Sequence, residues 1–156
     1  MNATLSEYQP QTSDTISNEH RKAILDGLGM AGSAYRQKIY NEDFSGKKSV
    51  LKLKELESFV DTALAHLEHS ISANKRNDNL YHAYNLMTVE PNGGIAISHL
   101  PEMLEGQVAV LSSGLLNSEQ SLNVLNALKS SALFREDQYS YVLYPNKDLD
   151  RKSTRL

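Results

Sequence analysis

The chain contains no cysteine, which excludes disulfides and thiolate chemistry and fits a cytoplasmic protein. Long apolar runs are missing too, so nothing in the sequence reads as a membrane-spanning segment. The first fifteen residues, MNATLSEYQPQTSDT, have neither the basic region nor the apolar stretch of a signal peptide. Positive charge is not in excess: 16 Lys and Arg stand against 19 Asp and Glu, a balance that argues against binding duplex nucleic acid. Metal-ligand spacing is absent as well. His66 and His69 lie three apart and His82 and His99 flank a turn, but no HExxH or comparable pattern occurs. GLGMAG, Gly27 to Gly32, has glycines like a dinucleotide fingerprint, yet no strand precedes it and it lies inside a helical pattern. No cofactor is therefore expected.

What is present begins with an odd ending. DRKSTRL, Asp150 to Leu156, follows a well-patterned segment but has no apolar period. The codons GAT CGG AAG AGC ACA CGT CTG encode this heptapeptide, and they closely resemble a common sequencing adapter read in one frame. Residues 150–156 are expected to be non-native on that ground, with the natural chain cut at or near Leu149 and belonging to a longer protein. Without them three cations and one anion are lost, and the balance moves from 16 against 19 to 13 against 18.

Residues 1–16 are polar and aperiodic and read as a flexible lead-in. From Ser17 the pattern changes: Ile24, Leu28, Ala31, Tyr35 and Ile39 recur three and four apart, one face of a helix capped by Ser17 or Asn18. Gly27, Gly29 and Gly32 inside it either bend the helix or admit a close neighbour. A second helix is predicted from about Lys52 to Ala73, its stripe formed by Leu53, Leu56, Val60, Leu64, Leu67 and Ile71, widened by Phe59 and Ala63. Lys54, Glu57, Asp61 and Glu68 occupy the opposite face, so this helix is expected to pack on one side. LYHAYNLMT and GIAIS across EPNGG read as a β-hairpin. A short helix from Pro101 to Leu111, closed by Gly114, is expected to bury Met103, Leu104, Val108 and Leu111. Asn117 with Gln120 forms a capping box opening a last helix with the stripe Leu122, Leu125, Leu128 and Leu133. YSYVLY alternates like a strand. The predicted architecture is mainly α, with antiparallel helix pairs from a bundle or a partial α/α toroid, a short β-hairpin and a C-terminal β element. Residues 17–149 make up the helical domain.

Chemistry concentrates in NKRNDNLYHAYN. Lys75, Arg76 and Asp78 precede Tyr81, His82, Tyr84 and Asn85, a mixture suited to a polyol, because aromatic faces stack on sugar rings while amides and charges bond hydroxyls. As a strand, this segment would place His82 and Tyr84 on one face with Leu80 and Leu86, and Tyr81 and Asn85 on the other with Ala83. Tyrosines in a hairpin core, and cations closing a helix C-terminus, are the structural alternative. His99, Glu102, Glu105 and Gln107 cluster around a helix start, where the carboxylates also suit the helix dipole. Arg135, Glu136, Asp137 and Gln138 precede the last strand, and paired carboxylates there suit acid–base chemistry only if their environments differ. The leading reading of these residues is a solvated loop.

ANKRNDNLYHAYNLM, LPEMLEGQVAVLSSGLL and FREDQYSYVLYPNKDL together resemble a large, poorly characterised bacterial family, loosely related to carbohydrate-active enzymes of the α/α-toroid type such as sugar phosphorylases and glycosidases. The resemblance covers about Ser17 to Leu149. It implies a fragment of a carbohydrate-active protein, and the residue mixture above supplies its expected sugar-binding surface: Lys75, Arg76, Asp78, Tyr81, His82, Tyr84, Asn85, Glu105 and Asp137. Catalysis would need residues from the remainder of the parent chain. A non-catalytic helical module for structure or protein interaction is the alternative from a different class.

Overall fold

The computed structural model describes residues 1–42 and 45–145; the heptapeptide 150–156 lies outside them. Among the described residues the fold is mainly helical, with five helices, a short antiparallel hairpin and a second two-stranded sheet. Helix α1 spans Asn2–Tyr8 and runs into a 3-10 turn at Gln9–Ser13; α2 spans Asn18–Asn41 and α3 Leu53–Ala73. The hairpin is β1 (Asn85–Val89) with β2 (Ile95–His99), followed by α4 (Leu104–Ser112), α5 (Ser118–Lys129), β3 (Phe134–Arg135) and β4 (Ser140–Tyr141). The described residues divide into two compact units, one within 1–73 with 87–98 and the other within 74–86 with 99–145.

In the first unit, residues 1–16 hold a helix and a 3-10 turn where the sequence shows no apolar period. They dock in part by hydrogen bonding, which leaves no mark in an apolar pattern. His66 Nε2 on α3 lies 2.8 Å from the Leu5 carbonyl, and His69 Nδ1 lies 3.0 Å from that of Thr12. A carbonyl only accepts, so each ring nitrogen carries the proton. Thr62, the buried residue of α3, donates to the Ser58 carbonyl. Thus the packed face of α3 is Thr62, His66 and His69. The predicted apolar stripe lies on the other side: Leu53, Leu56, Val60, Leu64 and Leu67 are all between 44% and 67% exposed, whereas Ala63 and Ile71 are half-buried. Amphipathicity correctly marks the helix, but the face that packs within this unit is the polar one.

Helix α2 begins as predicted, Ser17 Oγ accepting from the His20 amide at 3.2 Å. Ile24, Leu28, Ala31 and Ile39 are half-buried, whereas Tyr35 is exposed. The glycines divide by role. A Cβ on Gly27 would stand 2.6 Å from Thr4 Cγ2, so α1 crosses there, while Gly29 and Gly32 face open space. The Arg21 guanidinium bridges the carbonyls of Ile16 and Ile95 and the side chain of Asn18, and Asn18 in turn donates to Glu90 at 3.0 Å. These bonds tie the tip of the hairpin to the start of α2. In that tip Gly93 takes φ 87°, a left-handed conformation that favours glycine, and the Glu90 amide donates to the Gly94 carbonyl at 2.8 Å.

In the second unit the core is Leu80, Leu128 and Leu133, with Leu104, Ala127 and Val142 packed against it. The expected stripes are rotated. Helix α4 buries Gly106, Gln107 and Val110 and leaves Val108 exposed; α5 buries Val124 and Leu128 and leaves Leu122 and Leu125 exposed. The reason lies at Gly106, where a Cβ would stand 3.1 Å from both the Tyr81 carbonyl and the Ala83 Cβ. Helix α4 therefore presents its small residue to the backbone of 81–83 and turns Gln107 into that contact. The Asn117–Gln120 capping box is present in full, and Gly114 with φ 77° follows α4. YSYVLY contributes only Ser140 and Tyr141 to pairing, in register with Arg135 and Phe134.

Replacing Gly32 by alanine should stabilise the protein by about 0.5–1 kcal/mol through helix propensity. Gly27→Ala should lose that gain to its contact with Thr4; urea titrations followed by circular dichroism compare the two. Gln107→Leu, which strands the buried amide and carbonyl of Tyr81, should cost roughly 3 kcal/mol in the same measurement.

Candidate functional site

The second unit gathers most of the predicted site residues. Segment 74–84 doubles back on itself: the Arg76 amide donates to the Leu80 carbonyl at 2.8 Å, the His82 amide to the Asn74 carbonyl at 2.9 Å, and Lys75 and Tyr81 form a bridge. Asn79 at φ 65° makes the reversal. The segment is thus a tight loop, and strand β1 begins only at Asn85. The alternation expected of 80–86 therefore fails. Leu80 and Tyr81 are both buried although adjacent.

Gln107 holds this loop. Its side-chain Oε1 accepts from the Tyr81 amide at 2.9 Å, and its Nε2 donates to the Tyr81 carbonyl at 2.8 Å and that of Met103 at 2.9 Å. The residue is wholly buried, and both sides of its amide are used. Tyr81 is consequently a core residue, 6% exposed; burial pushes its phenol pKa up. The prediction of Tyr81 on a ligand-facing surface gives way to the structural alternative.

Arg76 pairs with Asp78 at 2.8 Å and Glu102 at 3.3 Å. The fork of Arg76 engages both oxygens of Asp78, and this hydrogen bonding holds the Asp78 carboxyl below its usual range. His82 stacks on His99, centroids 3.9 Å apart and planes 8° from parallel. His99 Nδ1 lies 2.8 Å from Asn85 Oδ1. Desolvation, with the charges of His99 and Arg76 added, depresses the His82 pKa. The Tyr84 hydroxyl donates to Glu105 Oε2 at 3.1 Å. That bond, with the carboxylate charge, raises the Tyr84 pKa, and Tyr144 is near enough to add to the effect. Tyr84 is 53% exposed.

Two predicted residues sit elsewhere in this unit. Lys75 lines a cleft of about 20 Å³ with Asn79, Tyr81, Gln120, Asn123 and Val124, room for water and not for a sugar ring. Asp137 is clamped by Arg135 across the β3–β4 turn, at 2.9 and 2.8 Å, and that hydrogen bonding lowers its pKa. Glu102, His99 and Gln107, noted in the sequence as a helix-start cluster, prove to belong to the same network as Arg76 and His82. Their signal was proximity to the helix start, where side chains face the loop that α4 caps. Among the described residues no group of three or more acidic or histidine side chains is arranged to hold a metal ion, and no helix is long and apolar enough to cross a membrane. Neither the protein-family models nor the curated proteins contain a match for this chain.

The depressed His82 pKa has a sign that can be checked. As pH falls, the unfolded chain takes up this proton first, near the ordinary value of about 6.5, so folding weakens below that pH. Chemical denaturation from pH 7.5 to 5 should show His82→Phe losing less stability on acidification than the parent chain; equal slopes would remove His82 from the account.

Proposed function

We propose that the protein is part of a carbohydrate-active bacterial protein of the cytoplasm, in which the second unit contributes a sugar-binding surface. The observation that carries this reading is Tyr84, a half-exposed aromatic ring whose hydroxyl is anchored on Glu105. Sugars present apolar C–H faces edged by hydroxyls. An oriented ring serves the face, and a carboxylate with unused lone pairs serves the edge. The neighbouring Asn85 and His99 are both exposed and hydrogen-bonded to one another, and they offer amide and imidazole groups to further hydroxyls. Arg76, held between Asp78 and Glu102, sets the charge beneath.

This surface binds and does not cleave. Glycosidases need one carboxyl with a raised pKa as acid and a second as base or nucleophile. Here Asp78 is driven the other way by Arg76, so it stays ionised at neutral pH and makes a poor proton donor. Hydrolysis or phosphorolysis belongs, in this reading, to the remainder of the parent chain.

Titration of glucans and β-linked disaccharides into the full chain, followed by amide and tyrosine NMR shifts, provides the test. Saturable shifts at Tyr84, Asn85 and His99 are expected. Tyr84→Ala should weaken binding by about tenfold, close to 1.4 kcal/mol. Absence of saturable shifts with every glycan would overturn the proposal.

A further inference from the structure

The hairpin tip carries chemistry that the proposed sugar surface does not use. Asn92–Gly93 is the single Asn-Gly step in the chain, and both residues are exposed. Asparagine is chemically labile, most of all where the next residue is glycine. With no side chain on that residue, its backbone nitrogen can reach the asparagine side-chain carbonyl unobstructed. We propose that Asn92 is a site of spontaneous deamidation, and that the bonds tying the hairpin tip to α2 set its rate.

The reaction balances with water as its co-reactant. The Gly93 nitrogen gives up its proton and bonds to Asn92 Cγ; ammonia leaves with that proton, and a succinimide ring closes. Water then opens the ring on one side or the other. Cleavage at Cγ restores the ordinary backbone with an aspartate side chain. Cleavage at the backbone carbonyl of residue 92 instead leaves the chain running through Cγ, an isoaspartyl link. Either product carries a carboxylate, and so a negative charge, where a neutral amide stood.

In the closed tip both reacting groups are occupied. The Gly93 amide donates to the Glu90 carbonyl at 2.9 Å, which engages the proton that has to leave. Asn92 Oδ1 accepts from the Gly94 amide at 3.1 Å, which fixes the side chain. Reaction therefore follows local opening of the tip. Opening is resisted by the start of α2: Asn18 Nδ2 donates to Glu90 Oε2 at 3.0 Å, and Arg21 donates to the Ile95 carbonyl just beyond the turn. The contact is close, since a Cβ on Gly94 would stand 2.9 Å from both Asn18 Cβ and Glu90 Oε2.

The products act back on the same contact. An isoaspartyl link adds a methylene to the backbone inside the turn that the Glu90 amide closes on the Gly94 carbonyl at 2.8 Å. The two bonds between Glu90 and residues 93 and 94 cannot both survive that insertion. The new carboxylate also arises beside Glu90, because Glu90 Oε2 and Asn92 Oδ1 lie 2.9 and 3.4 Å from the same point next to Gly94, and like charges at such range repel. Opening thus leads to a change that keeps the tip open, which makes the step one-way.

Incubating the full chain at neutral pH in water enriched in heavy oxygen, then analysing its peptides by mass spectrometry, reads the reaction directly. The peptide containing Asn92 should take up one heavy oxygen and split chromatographically into aspartyl and isoaspartyl forms, ahead of every other asparagine. Conversion should be about tenfold slower in the folded chain than in urea. Asn18→Ala, which removes a hydrogen bond to a carboxylate, should speed it about threefold to tenfold in the folded chain. Circular dichroism shows whether that variant folds; if it does not, Glu90→Gln carries the comparison and should also convert faster than the parent chain. No conversion at Asn92 while the chain in urea converts, equal rates folded and unfolded, or a rate that weakening the tie to α2 leaves unchanged would each overturn the proposal.

Discussion

The second unit depends on one side-chain amide. Gln107 places a donor and an acceptor against the carbonyl and amide of a single buried residue, Tyr81, imitating the strand that this loop lacks. A buried backbone pair without partners carries a large desolvation penalty, so the loop 74–84 takes its shape only where α4 supplies that amide. Gly106 makes the approach close enough by having no Cβ to collide with residues 81 and 83. With Tyr81 pinned inward, Leu80 enters the core, and Arg76, His82 and Tyr84 are left near the rim. The candidate site is therefore a by-product of how one helix start is seated on one loop.

The first unit uses polar docking of another kind. Two imidazoles and a threonine of α3 address residues 1–13. A helix normally spends its apolar face on its own core. Here five large apolar side chains of α3 stay exposed within the unit, while its polar face makes the hydrogen bonds.

Much of the local structure was readable in the residues. The Ser17 cap, the Asn117–Gln120 capping box, the turn at Gly93 and the closing glycine at Gly114 each rest on chemistry confined to a few consecutive positions. Helix α3 was legible for the same reason, since its period is intrinsic to the segment. The direction in which it packs was not, because Thr62, His66 and His69 carry no apolar signal and find their partners some sixty positions earlier. The rotation of α4 and α5 escaped the pattern likewise: Gly106 and Gln107 look unremarkable until the backbone of Tyr81 lies against them.

The site followed the same division. Residue types in NKRNDNLYHAYN singled out one stretch, and Arg76, Asp78, His82, Tyr84, Asn85 and Glu105 lie in one unit with their partners. Composition could not separate Tyr81 from Tyr84, since both have the same chemistry three positions apart. By itself the sequence determined element types, caps, turns, the acidic balance and the apolar stripe of α3, all properties of spacing and charge along the chain. Tertiary structure alone decided which tyrosine is core and which is surface, which carboxylates arginine holds ionised, and which face of α3 is left open. Those outcomes depend on long-range hydrogen bonds and close approach, and neither is encoded in local periodicity.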